Sequence, residues 1–219
     1  MKPTRDTAFI TIATAVISAL MIFITHFMQS MALTIPDIFG YAISFVPIIC
    51  FSWFIIFVIS ILKYTREKPF AINVFIIYLA YSVLQHIINM GIGLFGITSD
   101  KIMAYYQVIG VINLLAVILL VASVFTLSET EFRLPLRVFA LSELFIIAFY
   151  TAVPFLLSFI NTTDFTTYYR YMGFAYLVVP AAELYVAITV LNILNKQSWQ
   201  RPFYEMKKPE WPPFDKPKL

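Results

Sequence analysis

Four ionisable side chains lie inside long apolar stretches of this sequence: His26, His86, Glu143 and Glu183. Such groups are costly in an apolar medium and ordinarily face a protein interior or a water-filled space. At 1.5 Å per helical residue, His26 stands about 27 Å from the start of its segment and His86 about 24 Å from the start of its own. Two imidazoles at similar depth on different helices can ligate a haem iron, so His26 and His86 are the candidate ligands of a haem b. The alternative is a hydrogen-bonded polar patch. Gln29 neighbours His26, Gln85 and Asn89 flank His86, and Ser82, His86, Asn89 and Gly93 fall on one helical stripe. A zinc site lacks a third ligand at that depth.

Glu143 and Glu183 are the second candidate site. They stand about 10 Å and 18 Å from the ends of their segments that share a side, and Asn113 falls at a comparable depth. The two segments are consecutive, so they pack antiparallel and their carboxylates could meet. Such a pair could couple the movement of a proton or ion, or do general acid/base work on a lipid. The alternative is structural: each glutamate bonds a neighbouring hydroxyl or amide, with Ser142, Tyr185 and Asn192 at hand, and fixes helix register. Other chemistry is missing. The sequence has no Gly-rich phosphate loop, no histidine box and no C-x-x-C pair, and no Ser-His-Asp or Cys-His set falls at one depth. The residues therefore point away from an enzyme, with no catalytic residue, no metal and no resident cofactor beyond the bis-histidine haem reading.

The elements that position these groups follow from composition. Of 219 residues, 61% are hydrophobic and 12% charged, where a soluble domain is about half apolar and about a quarter charged. That excludes a soluble enzyme. The 17% aromatic content excludes a disordered chain, and a single cysteine, Cys50, excludes a disulfide scaffold. A bilayer core about 30 Å thick needs roughly 20 apolar residues in a helix. Six segments qualify: Thr7–Ser30, Gly40–Leu62, Phe70–Gly96, Ile102–Phe125, Leu136–Ile160 and Arg170–Asn195. The expected fold is all-α, a polytopic transmembrane bundle of six helices over residues 1–198, with a Pro/Trp-rich tail over 199–219. Pro47, Pro154 and Pro180 should kink spans two, five and six.

Orientation follows from the Lys and Arg residues. Of 15 in all, Lys101 and Arg170 fall on one side of a six-span layout and the other thirteen on the opposite side. The positive-inside bias then puts both ends of the chain in the cytosol. Tyr105, Tyr106, Tyr168, Tyr169 and Tyr171 would form the aromatic belt of the outer interface, and Asn161-Thr162-Thr163 would be a glycosylation acceptor there. In the tail, Trp199, Trp211 and Phe214 are candidate partner-docking residues on a chain that proline holds extended. No basic stripe with interleaved aromatics suggests nucleic acid. The expected partners are other membrane proteins and membrane lipids.

Three stretches resemble the damage-regulated autophagy modulator (DRAM) superfamily of six-span membrane proteins. They run from Phe39-Gly-Tyr-Ala-Ile-Ser to Lys63-Tyr-Thr-Arg66, from Asn113 to Phe125-Thr-Leu-Ser-Glu129, and over Pro180-Ala-Ala-Glu-Leu184. The resemblance implies six spans with both ends inside, and either a membrane adaptor or a lipid-remodelling role. Together with the missing catalytic set, it gives a first reading of a non-catalytic adaptor or accessory subunit of a larger membrane assembly. The alternatives are a lipid-handling protein using the intramembrane glutamates, and a small transporter or haem-bearing subunit. The orientation is tested by single cysteines in a Cys50→Ala background on intact right-side-out vesicles. Cysteines at 2 and 66 should resist an impermeant maleimide, and one at 101 should react.

Overall fold

A computed structural model describes residues 3–31, 33, 37–95, 99–128, 130–159 and 171–195. The tail residues Trp199, Trp211 and Phe214, the Asn161 tripeptide and Arg170 lie outside the described residues. Helices run over Arg5–Ser30 (α1), Asp37–Tyr64 (α2), Pro69–Phe95 (α3), Ser99–Phe125 (α4) and Arg133–Phe159 (α5); a 3-10 turn, Gly173–Leu177, then leads into Val178–Asn195 (α6). Among the described residues there is no strand, and six helical spans are each long and apolar enough to cross a membrane.

Local chemistry sets the helix ends. Thr4 caps α1: its hydroxyl accepts the Thr7 amide at 3.2 Å, and the Thr7 hydroxyl accepts the Thr4 amide at 2.8 Å. At the end of α2 the Glu67 amide donates to Leu62 at 2.9 Å and the Arg66 amide to Lys63 at 3.3 Å. Arg66 takes the left-handed conformation (φ 56°) that this closing motif requires. The turn also delivers Glu67 into the fold: its buried carboxylate accepts the Ser128 amide at 3.1 Å, tying the α2–α3 turn to the segment after α4.

Each helix packs on its neighbours in chain order, and α1 closes the ring against α6. Outward faces are apolar, as at Ile77, Leu84 and Ile87 on α3 and Val108, Val111 and Leu115 on α4. Inside, fully buried side chains gather at the end of the ring where α1 begins and α6 stops. They include Phe54, Val58 and Ile61 of α2, Phe75 of α3, Leu120 of α4, Phe139 of α5 and Val190 of α6. Phe54 and Phe139 meet across the ring at 4.8 Å between centroids, and Phe51 joins Phe139 at 6.5 Å and Tyr78 at 6.0 Å. These rings plug the axis. Phe139→Ala should therefore cost about 3–5 kcal/mol. Thermal unfolding in detergent should show a large fall in midpoint for that variant and little change for Leu115→Ala, whose side chain is 56% exposed on the outward face.

Candidate functional site: an intramembrane carboxylate cavity

Above the aromatic plug the ring does not fill its own centre. A cavity of about 270 Å³ remains, lined from α1, α2, α3, α5, the 3-10 turn and α6. Its polar lining is Ser18, Tyr78, Ser82, His86, Tyr176, Glu143 and Glu183. The helices are irregular beside it. Pro47 interrupts the hydrogen-bond ladder of α2, and Pro180 has no amide to return to the carbonyl four residues back, where the sixth span changes from 3-10 to α. Non-helical backbone at membrane depth is tolerated where it is buried in protein or lines a cavity.

The two glutamates are satisfied unequally. Glu143 is partly accessible and takes a hydrogen bond from the Tyr78 hydroxyl. Glu183 is 2% exposed, and its Oε2 has no hydrogen-bond partner. The two carboxylates are close enough to interact electrostatically, as are Glu143 with Tyr176 and Glu183 with the Cys50 thiol. His86 lines the same cavity, and its buried Nε2 also has no partner. The cavity lining contains no Lys or Arg. Two unsatisfied polar atoms on opposite walls of the ring, with a second carboxylate in the same lining, can accept hydrogen bonds from a bound species or hold a proton for one.

The other candidates separate into distinct settings. His26 Nδ1 is 3.0 Å from Gln29 Oε1 on its own helix. The ring lies directly on Gly173, so a Cβ there would fall within the imidazole, and it stacks near-parallel on Tyr176 at 6.3 Å. Tyr176 thus links the two histidine neighbourhoods, packing under His26 while lining the cavity that His86 also lines. Asn113 accepts the Tyr81 hydroxyl at 2.5 Å and Asn89 accepts the Tyr105 hydroxyl at 3.0 Å, each bond joining α3 to α4. Asn113 faces a separate space of about 430 Å³ beside α4 and α5, divided from the carboxylate cavity by Ile146 and Tyr176. Gln85 sits half-buried on α3. Among the described residues no three His, Cys, Asp or Glu side chains converge to hold a metal ion.

Sequence reasoning missed Tyr78 and Tyr176. Tyr78 lies one turn before Ser82 and two before His86, so the polar stripe of α3 extends back to it. Tyr176 lies seven residues before Glu183, two turns away on the same face. No family model, curated protein or solved structure matches the chain.

Gly173→Ala should lower the unfolding midpoint, because its methyl must displace the His26 ring. In a His26→Ala background the same substitution should cost much less, and a double-mutant cycle reads the difference. Equal costs in both backgrounds would mean that the ring does not rest on Gly173.

Proposed function

We propose that the protein is an integral multi-pass membrane carrier in which Glu143 and Glu183 take up a proton or small cation near the middle of the bilayer. The observation that carries this reading is Glu183, which lines the cavity and whose buried Oε2 has no hydrogen-bond partner. Twelve helical residues separate it from Asn195, about 18 Å of rise, which is more than half the hydrocarbon thickness of about 30 Å. A carboxylate held there without a cationic side chain is stable only with a proton or a bound cation. A bundle that acts by packing against partners alone, the adaptor reading, gains nothing from a polar cavity ringed by Pro47 and Pro180. Helices interrupted at mid-depth are instead the form that carrier sites take. In this reading both chain ends face the cytosol, and the plug around Phe54 and Phe139 insulates the site from that side until the helices move.

Acid-loaded proteoliposomes containing a pH dye and diluted into Na⁺, K⁺ or tetramethylammonium buffer test it. The intact protein should speed internal alkalinisation over empty liposomes with at least one of these cations. Glu183→Gln should slow that step at least about tenfold, corresponding to roughly 1.4 kcal/mol. Rates equal to those of empty liposomes for all three cations would overturn the reading.

A further inference from the structure

On the far side of His86 from the carboxylates lies an apolar groove of about 450 Å³ between α2 and α3. Its walls include Ile49, Trp53 and Ile56 of α2 and Ile87 of α3, and it shares His86 and Ile48 with the carboxylate cavity. Ile49 is 63% exposed and Ile87 60% exposed. In a chain that crosses a bilayer, side chains this apolar and this open face hydrocarbon. The groove is therefore lipid-facing, and two residues separate its floor from the carboxylates.

We propose that this groove admits a lipophilic primary amine from the bilayer, its alkyl chain lying along α2 and α3 and its ammonium passing His86 to Glu183 and Glu143. This rests on the reading of the glutamates as a cation site and names a ligand class for it. Complementarity argues for the ammonium. The linings of cavity and groove contain two carboxylates and no Lys or Arg. A primary ammonium carries three N–H donors and no acceptor. The cavity wall carries three residues with acceptor atoms to offer: Glu183, Glu143, and His86 through Nε2 in the tautomer that keeps its proton on Nδ1. Complementarity of shape argues for the chain. The groove is lined almost wholly by Ile, Phe, Val and Trp carbon, and Trp53 is held in place by donating its indole N–H to Thr11 at 3.0 Å. An amphiphile with one apolar arm and a cationic end matches both spaces at once, which neither a hydrated metal ion nor a neutral lipid does.

Trp53 provides the readout. With Trp199→Phe and Trp211→Phe it is the only tryptophan of the three that remains. The full chain is placed in phosphatidylcholine nanodiscs and titrated with undecylamine or undecanol, each brominated at the chain end, where bromine quenches indole fluorescence on contact. The amine should quench Trp53 saturably, with half-saturation at least about tenfold below that of the alcohol. Glu183→Gln should abolish that preference and leave quenching by the alcohol unchanged, which also shows that the groove is still folded. Equal quenching by amine and alcohol, no saturation by either, or a preference that survives Glu183→Gln would overturn the inference. Glu183-dependent cation flux without an amine preference removes the inference and leaves the carrier reading standing. Amine-selective quenching without flux does the reverse.

Discussion

A carboxylate in hydrocarbon must find a donor, a counter-charge or a proton, and the interior of this bundle is arranged around two of them. Glu143 takes the Tyr78 hydroxyl, whereas Glu183 Oε2 takes nothing. Closing six helices into a ring leaves an axial space. The chain fills one end of that space with Phe54, Phe139 and their neighbours, and leaves the other as a cavity with both glutamates in its wall. The prolines at 47 and 180 and the 3-10 entry to the sixth span all lie against that cavity. Irregular backbone and unspent polar capacity occur at the same depth.

Structure outside the axis serves ring closure. Trp53 bonds Thr11 to join α2 to α1, and Tyr81 and Tyr105 bond Asn113 and Asn89 to join α3 to α4. The Tyr150 hydroxyl donates to the Met172 carbonyl at 3.0 Å and so anchors the start of the sixth span to α5. With no hydrophobic drive between helices in lipid, such polar links and close packing decide which faces meet. His26 leaves no room for a Cβ at Gly173 and stacks on Tyr176, which lines both the carboxylate cavity and the space beside Asn113.

The six helices were legible because a run of some 20 apolar residues has one physical meaning in a bilayer. Their ends moved by only a few residues, as at Thr7 against Arg5 and Gly40 against Asp37. The sixth span differs in kind rather than in length: it passes through a 3-10 turn, Gly173–Leu177, before the α-helix Val178–Asn195, which periodicity does not reveal. The carboxylate pair was legible from a hairpin of consecutive spans. The addition of His86 was not, since it depends on how α3 and α6 face each other once the ring has closed. Asn113 shows the same limit. Helix α4 is apolar on all sides, so composition does not fix its rotation, and Asn113 turned to Tyr81 rather than to the glutamates. Glu67 was hidden for another reason: a charged residue in a turn reads as solvated, and only the closing motif of α2 folds it inward.

The central claim is that Glu183 faces an intramembrane cavity with capacity to spare. A hydrophobic carbodiimide, which reaches carboxyl groups through the bilayer and leaves a stable adduct, tests this most directly by peptide mass spectrometry of the protein in lipid vesicles. The account predicts an adduct at Glu183. An unmodified Glu183 in vesicles, with ready modification of the same residue after unfolding in detergent, would mean that the carboxylate is sealed in packed protein, and the account would fail.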